Sequence, residues 1–267
     1  MRHGERLAPR GDPRSNGDVN LILLFDDDPR DGRRVTIRGA RAAHVREVLR
    51  AEPGRELRVG LLDGPLGRGR VVASTADAVV LDCEFDAEPP PRPLVDLVLA
   101  VPRPKSLVKL WPEIAALGAD RAVLLRTWRV AKPYLAAKAL DPATYRPLLH
   151  DGMMQARTTR EPRVAVEPLF RPWAEDRAKE FVGDALALVA HPTAATPLAD
   201  VRVAATRRVV LAVGPEGGFV PFEVETLERA GFRAVSMGAR TLRVETAVVA
   251  LLAQIDLLRR LGATLHP

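Results

Sequence analysis

The segment AEPPPRP, from Ala87 to Pro93, constrains this chain more than any other stretch. Successive prolines lack amide donors and favour extended backbone, so neither a sheet nor a helix can run through it. It predicts a linker over 87–93 between two differently patterned parts. Ahead of it, from Val19, short β-rich runs alternate with turn signals: VNLILLF, VTI at Val35, ELRVGLL at Glu56, GRVVAS at Gly69 and AVVLDCEF at Ala78. These predict a small β barrel over 19–86. One helix interrupts the strands, because ARAAHVREVLR at 40–50 sets Ala43, Val45, Val48 and Leu49 on one stripe.

Behind the prolines, over 94–267, strands alternate with helices. LVDLVLAV, SLVKLWPEIAALG, RAVLLRTW and a helical stretch to Gln155 come first; ALALVA, RVVLAVG, EVETLERAG, AVSMG and ETAVVALLAQIDLLRRLG follow. That alternation is an α/β pattern with a parallel sheet. RRVVLAVG and ALALVA are apolar almost throughout, as strands covered on both faces must be, and are expected in mid-sheet. Residues 1–18 are rich in Arg, Gly and Asp without apolar periodicity; they predict a disordered leader, with the biological start near Val19.

Composition narrows the partners. The formal charge is +6 and the isoelectric point near 10.0, which suits a polyanion without demanding one. Cys83 is the single cysteine, so no internal disulfide and no Cys/His zinc pattern is available; a reducing cytoplasm and no metal are expected. The apolar stretch Leu21 to Phe25 is too brief for a signal core or membrane span, so no membrane partner is expected.

In an open α/β sheet, ligands sit beyond the carboxyl ends of the strands. The turns to inspect therefore follow ALALVA, RVVLAVG and AVSMG. The first is His191-Pro192. The second, Gly214-Pro215-Glu216-Gly217-Gly218-Phe219, lets backbone approach a ligand without side-chain obstruction, although an ordinary strand-to-helix turn has the same composition. It is neither a P-loop nor GxGxxG. The third, Gly238 to Thr246, sets Arg240 and Arg243 beside Thr241 and Glu245, before a helix whose stripe is Val248, Leu251, Leu252, Ile255 and Leu258. Glu245 has a plainer role as a carboxylate at a helix N-terminus.

VGPEGGF followed by EVETLERAGF and SMGARTLRVETAVVALLAQ resembles the RsmE family, the bacterial 16S ribosomal RNA uracil-N3 methyltransferases. The likeness runs from about Val19 to Leu261. HVREVLR and GLLDG resemble that family's PUA-like RNA-binding barrel, RPKSLVKLWPEIAALGAD its lysine-bearing helix, and Gln155, Arg157 and Pro162 a further element. Met154 and Arg163 stand where the family has glutamates. The resemblance implies a SPOUT fold with a deep trefoil knot, a homodimer, and S-adenosylmethionine enclosed by Val213, Gly214, Pro215, Glu216, Gly217 and Gly218, by Met237 to Arg243, and by His191-Pro192. Leu242 would contact adenine. The implied substrate is 16S ribosomal RNA, alone or within the small subunit.

Methyl transfer from a sulfonium needs an in-line nucleophile more than covalent help. Uracil N3 carries a weakly acidic proton, so a base, or a cation on the ring oxygens, is required. Arg243 is the expected polarising group; Glu245 or Glu216 would accept or orient the proton. Arg46, Arg50, Lys105, Lys109, Arg157 and Arg160 are candidates for phosphate contact, each equally readable as a surface charge. His44 and the three tryptophans are read mainly as packing residues; only Trp128 falls where a loop is expected. Two rivals remain: a knotted methyltransferase acting on a ribose 2′-hydroxyl or a transfer RNA base, and a non-catalytic assembly factor.

Overall fold

A computed structural model describes residues 21–265; the expected leader at 1–18 lies outside them. The leading part contributes β1 (Ile22–Leu24), β2 (Arg30–Asp31), β3 (Arg34–Arg38), α1 (Gly39–Ala43), β4 (Glu56–Leu61), β5 (Leu66–Ser74) and β6 (Ala78–Phe85). They form one six-stranded sheet in the order β1-β4-β5-β6-β3-β2. Its ladders are antiparallel except β1–β4. Every second residue of β6 points inward, burying Val79, Leu81 and Cys83. Burial pushes the Cys83 thiol up to about 11, which leaves it inert.

The first helix departs from its expected face. α1 passes into a π turn over His44–Val48, closed by Leu49 N–H donating to the His44 carbonyl. The wider winding rotates the stripe, so that Ala42, Val45 and Leu49 are buried while Val48 is 66 % exposed.

The trailing part contributes β7 (Val95–Ala100), α2 (Pro104–Ala116), β8 (Ala119–Leu125), α3 (Pro142–Ala156) and β9 (Arg163–Glu167). A helix follows in pieces, α4 (Phe170–Pro172), a π turn at Trp173–Arg177, and α5 (Ala178–Val182). Then come β10 (Leu186–Ala190), β11 (Val209–Val213), α6 (Pro221–Arg229), β12 (Arg233–Val235) and α7 (Val244–Leu265). The six strands form a wholly parallel sheet in the order β12-β10-β11-β7-β8-β9. The fold is therefore α/β with a parallel sheet. ALALVA and RVVLAVG are interior strands, as their composition requires, whereas β9 and the helix after it carried no clear signal. No helix among the described residues is long and apolar enough to cross a membrane.

β1 stitches two apolar clusters together. Ile22 and Leu24 enter the cluster of the leading sheet, and the alternate residues Leu21 and Leu23 enter that of the parallel sheet. Polar straps reinforce this seam. Leu21 N–H donates to the Met154 carbonyl at 3.0 Å, Asp63 N–H to Thr159 at 2.7 Å, and the Arg160 guanidinium to the Asp63 and Pro90 carbonyls at 2.6 Å each. Arg92, within the proline segment, reaches Asp63 at 2.8 Å on one side and Asp120 at 3.0 Å on the other.

The amino end of the parallel sheet is closed by charge. The Asp96 and Asp120 side chains are 0 % exposed. Arg121 and Arg208 pair with Asp96; Arg92, Arg163 and Arg208 pair with Asp120. Burial alone would raise the Asp120 carboxyl. The hydrogen bonds from Arg92 and Arg163, with the nearby Arg208 charge, outweigh it and hold the group below the usual carboxylate range.

Candidate functional site

Strand order reverses between β11 and β7, which leaves a crevice beyond their carboxyl ends. β11 is buried along its length and delivers Gly214 into that crevice. The turn then folds back on itself, closed by Gly218 N–H donating to the Pro215 carbonyl at 2.7 Å. A Cβ on Gly214 would meet the Phe219 nitrogen at 2.9 Å, so no larger residue fits without moving backbone. Phe219, buried, pins the far side of the turn.

Two glutamates brace this turn. Glu216 Oε1 accepts from Arg103 N–H at 2.8 Å, just before α2. Glu223, 2 % exposed, accepts from Val220 N–H at 2.9 Å and from Trp128 N–H at 2.7 Å. The first of these is the reciprocal half of a capping box at the start of α6. Sequence inspection missed Glu223, although a glutamate three residues past a helix start was the available signal.

β12 delivers the third turn. Ser236 N–H donates to Thr196 and the Ser236 carbonyl accepts from Leu198 N–H, after which pairing stops. Among the described residues, no backbone amide from Met237 to Leu242 has a hydrogen-bond partner. Gly238 sits at φ +112°, a conformation that L side chains rarely adopt. α7 starts at Val244 with Glu245 in its first turn.

All three turns meet. One pocket is walled by Ala190, His191 and Pro192, by Val213 to Glu216 with Gly218 and Phe219, and by Val235, Met237, Gly238 and Arg240 to Leu242, with Val244, Ala247 and Leu251 of α7 as its floor. His191 is held by its backbone N–H on the Val235 carbonyl at 2.9 Å and by its Nδ1, 3.0 Å from the Thr193 hydroxyl. The walls are mainly apolar; the lining residues with polar side chains are His191, Glu216, Arg240 and Thr241.

Three singled-out residues lie outside the lining. The Gly217 carbonyl accepts from the Arg129 guanidinium, which packs over that glycine. Arg243 is exposed, and its side chain makes no hydrogen bond or ion pair among the described residues. Glu245 faces a different groove, between α2 and α7, beside Lys109.

The phosphate candidates divide. Arg50, Lys105, Lys109 and Arg157 are exposed. Arg46 is half-buried and lies 3.7 Å from Glu47. Arg160 is occupied by its carbonyl straps, so its donors serve the seam between the two sheets. His44 lines a cleft between α1 and α3. Trp111 and Trp173 are core residues, and Trp111 Nε1 donates to the Ala139 carbonyl at 2.9 Å. Trp128, at 82 % exposed, does not pack in the core. Among the described residues, no cluster of His, Cys, Asp or Glu could hold a metal ion.

Comparison with known proteins agrees with this geometry. Residues 89–256 match the RNA methyltransferase domain family. The ribosomal RNA small subunit methyltransferase E of Mycobacterium bovis is 30% identical over 247 residues, covering 90% of this chain and 92% of that protein. Its Treponema pallidum counterpart is 28% identical over 87% of this chain and 88% of the relative. A crystal structure of the Neisseria gonorrhoeae enzyme bound to S-adenosyl methionine shares the fold, with TM-score 0.71 at 21% identity over 90% of this chain and 98% of that one. With its parallel sheet and three convergent turns, the chain belongs to the ribosomal RNA small subunit methyltransferase E family.

Proposed function

We propose that this protein transfers a methyl group from S-adenosylmethionine to N3 of a specific uridine in 16S ribosomal RNA of the small ribosomal subunit. The supporting observation is the convergence of the turns after β10, β11 and β12 on one pocket. Its residues fit a nucleoside donor. Val213, Phe219, Val235, Leu242 and Leu251 offer apolar faces to a ring, and the unpartnered amides between Met237 and Leu242 offer donors to its polar edge. Gly214 and Gly238 keep side chains out of the path.

When bound, the cofactor supplies an electrophilic methyl group on a positively charged sulfur. The chain's task is then to present the uracil in line and to manage its N3 proton. Arg240 lines the pocket and Arg243 follows just past its lining; their side chains, without partners among the described residues, would stabilise negative charge on the uracil oxygens. Glu216 lines the pocket and has one oxygen engaged by Arg103, so its other oxygen is the candidate proton acceptor. Glu245 in its separate groove is assigned to the α7 N-terminus.

We further propose a division at the proline segment, supported by the two apolar clusters, with 19–86 as a PUA-like RNA-binding barrel, 87–93 as linker and 94–267 as a SPOUT domain with a trefoil knot. Exposed Leu257 and Leu261 on α7 support a homodimer. The proposed compartment is the cytoplasm, where the ribosomal substrate is found. The test is to incubate the protein with labelled S-adenosylmethionine and small subunits lacking the modification, digest the RNA and identify the nucleoside. 3-Methyluridine is expected; a 2′-O-methylated nucleoside, or no labelled nucleoside, overturns the assignment.

A further inference from the structure

The turns after β8 and β9 form a second hollow beside the first, lined by Arg126, Thr127, Trp128, Leu169, Phe222 and Glu223 among others. Trp128 presents its indole at 82 % exposure, with Leu169 at 53 % and Phe222 at 45 %. Single apolar residues on a surface are ordinary, but three lining one hollow are not. The backbone that carries the indole is anchored: Glu223 accepts from Trp128 N–H, and the Arg129 guanidinium donates to the Gly217 carbonyl of the pocket turn.

Charge favours an anion here. The Arg126 side chain makes no hydrogen bond or ion pair among the described residues, and its Nε is buried without a partner. The Thr127 hydroxyl is likewise unpartnered in a residue 3 % exposed. Buried polar groups left so are costly unless something completes them. Arg171 adds positive charge, although Glu175 holds it at 2.9 Å. Both Glu223 oxygens are engaged by backbone amides in a buried residue, so they present no lone pair at the surface.

We propose that this hollow seats one unpaired nucleotide of the RNA substrate beside the methylated uridine, its base stacked on Trp128 and its phosphate against Arg126. The inference rests on the methyltransferase assignment and adds a recognition subsite to it. An aromatic plane with an adjacent free guanidinium is what single-stranded nucleic acid requires.

The test uses the full chain, an oligouridylate of about 10 residues, and small subunits lacking the methyl group. Trp128→Ala is expected to weaken RNA binding about tenfold or more, and Trp128→Phe by about threefold or less. Affinity for S-adenosylmethionine should stay unchanged in both. RNA should quench the tryptophan emission of the unaltered protein and not that of Trp128→Ala, because Trp111 and Trp173 are buried. Arg126→Gln should flatten the salt dependence by about one charge. Methylation by the unaltered protein, with equal RNA affinity in Trp128→Ala, would overturn the subsite alone. Loss of a dimer on sedimentation without loss of RNA affinity would overturn it in favour of an interface between copies. An unaltered protein that bound neither RNA nor cofactor would overturn both assignments.

Discussion

The two ends of the parallel sheet use the same side chain in opposite ways. At the amino end, Arg92, Arg121, Arg163 and Arg208 converge on Asp96 and Asp120, whose carboxylates are wholly buried. At the carboxyl end, the side chains of Arg126, Arg240 and Arg243 have no partner among the described residues, and the amides of Met237 to Leu242 are open as well. One end has its cations paired with buried carboxylates. The other holds unmet charge and unmet donors around a pocket, and that is the end at which a polyanion can gain free energy by arriving.

The sharpest way to break this contrast is at the closed end. Asp120→Ala should lower unfolding free energy by about 3–5 kcal/mol in a urea titration, because three arginines lose their buried carboxylate. Affinity of the folded protein for S-adenosylmethionine should not change. If stability is retained, the amino-end pairs are decoration.

At the open end the pattern inverts. Arg243→Ala should reduce turnover at saturating RNA and cofactor by about 10²-fold to 10³-fold, with an unaltered thermal midpoint. Full turnover in that variant would remove the cation from the chemistry.

Acid sharpens the comparison further. Asp120 has a depressed carboxyl in the folded state, so its contribution is complete above the ordinary Asp value and is lost as pH falls through the folded one. Stability should therefore decline below about pH 4, and Asp120→Asn should flatten that decline in pH-dependent denaturation. The smallest effect belongs to Glu245→Gln. It removes a carboxylate from the first turn of α7, with an expected cost of about 0.3–1 kcal/mol and no change in turnover.

Periodicity made the alternation of strands and helices legible, and glycine-rich composition marked the turns after β11 and β12. β9 escaped because it is an edge strand whose residues are mostly exposed or half-exposed, so it carries no run of buried apolar positions. Val48 was misplaced because a π turn breaks the 3.6-residue register on which such stripes are read. Arginines were the least legible of all. Nothing in the sequence separates Arg160, held by two carbonyls, from Arg243, held by none, since what distinguishes them is the company that the fold brings. Trp128 alone falls where the sequence marks a loop, yet a packing role is the expectation for it as for the other two; the end of β8 leaves it outside the core.

β1, inserting alternate side chains into both apolar clusters, together with the Arg160 and Arg92 straps, has a consequence for what the protein can read. Exposed cations of the leading part, such as Arg50 in the loop after the π turn, stand at a set span from the proposed methyl-donor pocket. The molecule thus works as a caliper with fixed jaws. On the proposed function, a floppy strand would fit it only at the expense of its own freedom, whereas RNA already folded to that gauge would arrive with its target base at the right jaw.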